Sequence, residues 1–104
     1  MRVVLACLIL PFLAVAAAAQ GDPATGRRLA EAQCASCHAV AGGGPSPNMA
    51  APPFAAVARM PSTTALSLQA FLRTPHGQMP DVVLTPAQLD DVTAWILSLR
   101  TGPN

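Results

Sequence analysis

The chain contains no lysine, and charged residues of any kind make up only 11% of its 104 positions. With Arg2 at the extreme start set aside, five arginines (Arg27, Arg28, Arg59, Arg73, Arg100) stand against five acids (Asp22, Glu31, Asp81, Asp90, Asp91). So balanced and lysine-free a surface excludes the phosphate-neutralising patch on which nucleic-acid binding depends. It equally excludes a polybasic membrane-binding face. Aromatic residues are scarce at 4%, and beyond residue 19 they are Phe54, Phe71 and Trp95 alone. Length allows one domain, and a domain this short with so little bulk needs a staple beyond its hydrophobic core.

What the chain has in plenty is aliphatic residues, and many of them lie at its start. Arg2 precedes Val3-Val4-Leu5-Ala6-Cys7-Leu8-Ile9-Leu10, followed by Pro11-Phe12-Leu13-Ala14-Val15 and then by Ala16 to Ala19. A basic start, an apolar run and small residues at an exit are the pattern of a cleavable secretory signal peptide. An uncleaved anchor would need about 20 apolar residues and usually lacks an Ala-x-Ala exit. A lipid on Cys7 would require the run to precede that cysteine. The expected organisation is therefore a cleaved signal peptide over residues 1–19, a single domain over 20–104, and export to the periplasm. Cleavage removes Cys7 and leaves two cysteines, which the exported location would permit to pair.

Their spacing points elsewhere. Cys34-Ala35-Ser36-Cys37-His38 is the arrangement of covalent c-type haem attachment: each thiol adds to one haem vinyl group as a thioether, and the adjacent histidine presents Nε2 to the iron. A zinc site would need four ligands, and the second half of such a site is missing. A thioredoxin-like pair would need a βαβ context, whereas the flanks read as helix and then a Gly/Pro-rich loop. A disulfide between Cys34 and Cys37 would close too short a loop to stabilise much.

Three blocks in this order, residues 21–30 leading into the motif, Met79-Pro80 in a later loop, and an amphipathic segment from Leu84 to Leu99, resemble a small class I cytochrome c over nearly all of residues 20–104. The resemblance implies an all-α cytochrome c fold, with three to four helices and a Pro/Gly-rich loop wrapped around one covalently attached haem.

Local signals agree with that architecture. Asp22 and Pro23 read as an N-cap and first-turn proline of a helix that runs to the motif. Gly26 within it costs about 1 kcal/mol relative to alanine, and in the family a glycine here lets the last helix cross at short range. Residues 42–61 hold Gly42-Gly43-Gly44, Pro45, Pro47, Pro52-Pro53 and Pro61, too many breakers for regular structure. The resemblance makes this segment the haem wrap, with the carbonyl of Pro45 or Pro47 accepting from the second ring nitrogen of His38. A short helix is expected over Ser62 to Leu72, placing Leu68, Phe71 and Leu72 in the core and ending before Pro75. Thr85-Pro86-Ala87-Gln88 is a capping box, and Leu89, Val92, Ile96 and Leu99 form one apolar face widened by Trp95. Arg100 and Gly102 are expected to close this helix.

The second axial ligand has four candidates, Met49, Met60, Met79 and His76. The chain must cross to the other face of haem before the terminal helix returns, and Met79, shortly before Thr85, suits that crossing. The family places its methionine in this loop, so the resemblance assigns the iron to His38 and Met79, with His76 expected as a solvated residue or a partner of a haem propionate. A His/Met site has a higher potential than a His/His site and suits electron transfer. The resemblance thus implies a periplasmic electron carrier rather than an enzyme, with haem c as cofactor and a redox protein on either side as donor and acceptor, acting as a monomer or as a subunit of a redox complex, without stable membrane insertion. The alternatives are the haem subunit of a larger periplasmic dehydrogenase or oxidase and, less in keeping with Met79, a gas-binding or peroxidatic haem protein.

Overall fold

The computed structural model describes residues 21–101, in which four helices and no strand occur: α1 (Pro23–Gln33), α2 (Phe54–Arg59), α3 (Ala65–Arg73) and α4 (Pro86–Ser98). The expected signal peptide and Gly102 lie outside the described residues. None of the described helices is long and apolar enough to cross a membrane.

Helix α1 starts where its cap directs. The Asp22 carboxylate accepts from the backbone N–H groups of Ala24 and Thr25, and Pro23 occupies the first turn, where a missing N–H costs nothing. The Thr25 hydroxyl donates to the same carboxylate and, as the largest cause, holds Asp22 below the usual carboxylate range. Helix α4 begins with the expected capping box, in which Thr85 accepts from the backbone of Gln88 and Gln88 accepts from the backbone of Thr85. Leu89, Val92 and Ile96 are buried, as the periodicity requires.

The two helices cross at Gly26. A Cβ built there would stand 1.9 Å from the Asp91 carbonyl oxygen and 3.0 Å from the Trp95 Cβ, so only glycine lets the backbones approach. The Asp22 N–H donates to Asp91 Oδ1 at 2.7 Å, and the Arg27 guanidinium lies 5.4 Å from the Trp95 ring centre. Ala30 is fully buried beneath the crossing, beside Val40, Phe54, Ala58, Leu68, Val92 and Ile96.

Three expectations are corrected. The span 42–61 is not wholly irregular, because Phe54–Arg59 forms α2. Pro52 and Pro53 precede its first turn, and the Pro53 carbonyl accepts from Ala56 and Val57, so the prolines introduce the helix instead of breaking it. Helix α3 begins at Ala65, later than expected, because Thr64 forms a capping box with Ser67, a serine in the place where glutamate or glutamine is the usual signal. Its end is as expected: Thr74, held extended by the following Pro75, has φ −109° and ψ 129°. Phe71, expected in the core, is 51% exposed, while Leu68 from the same helix is 7% exposed. Arg100 also does more than close α4: its guanidinium donates to the carbonyls of Ala58 and Thr63, tying the α2–α3 connection to the end of the last helix.

On α4 the Thr93 side chain is buried, and its hydroxyl has no hydrogen-bond partner among the described residues. A buried polar group without a partner costs about 1–3 kcal/mol, so Thr93→Val, which keeps the shape, is expected to raise stability by about 1 kcal/mol and the melting temperature by roughly 4–8 °C. A melting temperature below the parent's in calorimetry would show that the hydroxyl is satisfied.

Candidate functional site

The end of α1 flows into the Cys34–His38 turn. Cys34 caps the helix with its N–H on the Ala30 carbonyl, and the N–H groups of Cys37 and His38 both donate to the Cys34 carbonyl, at 3.1 and 2.9 Å. One compact turn therefore carries both thiols and the imidazole. The cysteines are free and half-buried, and burial pushes the Cys34 thiol above its ordinary pKa, which keeps it protonated and disfavours pairing with Cys37. Among the described residues no three His, Cys, Asp or Glu side chains converge on a shared metal position, so the turn has no zinc-site geometry.

The Pro/Gly-rich segment folds back on this turn as an ordered wrap. Asn48 N–H donates to the Cys37 carbonyl, Ala39 N–H to the buried Ser46 hydroxyl, and Phe54 N–H to the Ala39 carbonyl. The return limb of the loop thereby lies along His38, and the carbonyl that accepts from His38 Nδ1 belongs to Pro52, at 2.7 Å. Neither Pro45 nor Pro47 has this role; both are exposed and flank Ser46 on the outgoing limb. Since a carbonyl can only accept, Nδ1 carries a proton, and in the neutral ring Nε2 keeps its lone pair. The Phe54 ring stands 5.3 Å from the imidazole, tilted by 50°.

Met79 lies in a different turn, after α3. Gly77 adopts φ +45°, and His76 and Met79 pair across the turn as an isolated antiparallel bridge. His76 is not a freely solvated side chain: it is half-buried, its Nδ1 donates to the Thr74 carbonyl at 2.6 Å, and its Nε2 lies 3.3 Å from Met79 Sδ. The Phe71 ring packs on it at 3.6 Å between centres. Leu72, Pro75, His76, Met79, Val82 and Val83 line a cleft of about 170 Å³ here. Met60 caps α2 and is 47% exposed, and Met49 is 95% exposed on the wrap.

The structure thus brings Cys34, Cys37 and His38 together in one turn and pairs Met79 with His76 in another. The donor set fits a covalently held haem: two unpaired thiols, an imidazole whose Nδ1 is tied by a hydrogen bond so that Nε2 is available, and a thioether. The Pro52 and Thr74 carbonyls escaped sequence reasoning. Nothing local in the sequence marks one carbonyl among many as an acceptor.

The model of the family described as Cytochrome C oxidase, cbb3-type, subunit III matches residues 21–96. The chain is 39% identical over 95 residues to a protein named cytochrome c-552 from Bradyrhizobium diazoefficiens, an alignment covering 90% of this chain and 91% of that protein. No solved structure matches the chain.

Proposed function

The chain belongs to the cytochrome c family, in the group whose model is described as cbb3-type oxidase subunit III, and from that premise we propose that it is an exported, periplasmic carrier of single electrons between redox proteins. The residues that would hold one haem are Cys34 and Cys37, through thioethers, with His38 Nε2 and Met79 Sδ as the ligands to its iron. When bound, the haem supplies the one-electron chemistry by cycling between ferrous and ferric iron. The protein supplies the rest. The Pro52 carbonyl holds the His38 ring in one orientation and raises the basicity of Nε2. The Met79 thioether is a soft donor that favours ferrous iron and so raises the potential. Leu72 and Val82, which line the cleft with Met79, and Phe54 beside His38 shield the site from water.

The observation that carries this reading is the His38 Nδ1 to Pro52 bond within the turn that also bears two free thiols. Haem should stay with the polypeptide through acid–organic extraction, because thioether bonds survive conditions that strip coordinated haem. Release of all the haem into the organic phase would end the assignment.

A second reading, a haem subunit of a larger oxidase or dehydrogenase, is favoured by the family match to an oxidase subunit over residues 21–96. The two readings share one site and differ in company. Purification from the native source under mild conditions separates them: a stable larger polypeptide in the same peak supports the subunit, and a lone small cytochrome supports the free carrier.

A further inference from the structure

His76 has the same hydrogen-bonding arrangement as His38. In both rings Nδ1 donates to a backbone carbonyl, that of Pro52 at 2.7 Å and that of Thr74 at 2.6 Å, and in both the neutral ring is left with a bare lone pair on Nε2. That is how proteins prepare an imidazole for a metal: the second nitrogen is tied, and the tautomer and ring orientation are fixed. For His38 the free nitrogen belongs to the haem motif. For His76 it lies 3.3 Å from Met79 Sδ.

That contact is unusual in its chemistry. With its proton on Nδ1, the neutral His76 ring has no hydrogen to give the sulfur, and a thioether has none to give the ring. In that neutral form two electron-pair donors sit side by side with nothing shared between them, held by the bridge across Gly77 and by Phe71 against the ring. Such a pair is suited to a common electron-pair acceptor.

Resting on the reading of Met79 as an axial ligand, we propose that His76 is a reserve ligand for the same iron. When the Met79 sulfur leaves, His76 Nε2 moves into its place, a shift on the scale of the 3.3 Å that separates the two atoms, with Gly77 as the pivot. The iron–sulfur bond breaks and an iron–nitrogen bond forms. The neutral ring donates a lone pair it already has, so no proton and no electron enters or leaves. The result is a six-coordinate His/His iron of lower potential, still closed to small molecules. Loss of Met79, by substitution or by conversion to its sulfoxide, then retunes the carrier without opening it. A hydrogen-bonding role for His76 would give the opposite outcome, since the sixth position would then fall to water.

The test uses the mature holoproteins of the parent, Met79→Ala, His76→Ala and the double variant. The oxidised parent and His76→Ala should both show the weak red absorption of iron–sulfur ligation. Met79→Ala should lose that band yet stay low-spin, with a lower potential and the spectrum of two nitrogen ligands. The double variant should be high-spin. A ligand tethered three residues away competes at an effective concentration of millimolar order or above, so carbon monoxide should bind reduced Met79→Ala about tenfold or more weakly than it binds the double variant. Should Met79→Ala fail to mature, the parent and His76→Ala are compared after treatment with a mild methionine oxidant: low-spin parent with high-spin His76→Ala supports the reserve ligand, and equal high-spin spectra overturn it. A high-spin Met79→Ala as open to carbon monoxide as the double variant overturns the proposal while leaving the carrier reading intact. A parent with no red band and two nitrogen ligands overturns it differently, by making His76 the resident ligand, and a parent without covalent haem overturns the underlying reading as well.

Discussion

A Cys34→Ala, Cys37→Ala double variant is expected to emerge without covalent haem and without a cooperative melting transition. The reason lies in the size of the core. Among the described residues the buried hydrophobic side chains are Ala30, Val40, Phe54, Ala58, Leu68, Leu89, Val92 and Ile96, two of them alanines and only one aromatic. Leu66 and Phe71, by contrast, are 79% and 51% exposed. A domain of this length depends on a staple, and the Cys34–His38 turn, which packs on the core through Cys34 and Ala35, is the place where the chain would be stapled. Ligand binding that occurs only in the folded state is itself folding free energy. Circular dichroism should therefore show a broad, non-cooperative loss of helix in the variant and a sharp transition in the parent. A sharp transition in the haem-free variant would mean that the four helices suffice.

Gly26→Ala should be strongly destabilising. Its Cβ would lie 1.9 Å from the Asp91 oxygen and 2.4 Å from the Asp91 carbonyl carbon, and these are backbone atoms that cannot rotate aside. To admit it, α1 and α4 must separate, loosening the packing over Ala30 and the bond from Trp95 Nε1 to the Val40 carbonyl at 2.8 Å. Overpacking typically costs 1–3 kcal/mol, and contact with immobile atoms puts this case at about 3 kcal/mol or more. The melting temperature of the holoprotein should fall by roughly 12 °C or more. Gly43→Ala meets nothing within 4 Å and should stay within about 0.5 kcal/mol of the parent. Equal melting temperatures for the two variants would refute the close crossing.

What could be read from the sequence follows the reach of each signal. The starts of α1 and α4 were legible because Asp22, Pro23, Thr85 and Gln88 act within three residues of themselves. The compact Cys34–His38 turn was legible because its residues are contiguous. Phe71 was misplaced because its spacing from Leu68 fits a helical face, whereas its ring faces His76, and periodicity says nothing of a turn beyond the helix. The acceptor for His38 was misplaced for a similar reason: the outgoing limb carries Pro45 and Pro47, but the bond from Phe54 to Ala39 brings the return limb, and with it Pro52, against the ring. The pairing of His76 with Met79 depends on the positive φ of Gly77, which a glycine permits but does not announce.

The crossing of α1 and α4 has a consequence in time. The bond from Asp22 to Asp91 spans 69 positions of sequence, and the Gly26 contact joins the first helix to the last. Each helix can form locally, but the contact that closes the fold carries the loop entropy of nearly the whole chain. A chain emerging N-terminus first has Cys34, Cys37 and His38 in hand before α4 exists to cover Ala30. If these thiols take the haem as proposed, they are presented on an open first helix throughout that interval, and closure by the last helix comes after the period in which the attachment chemistry has freest access to them.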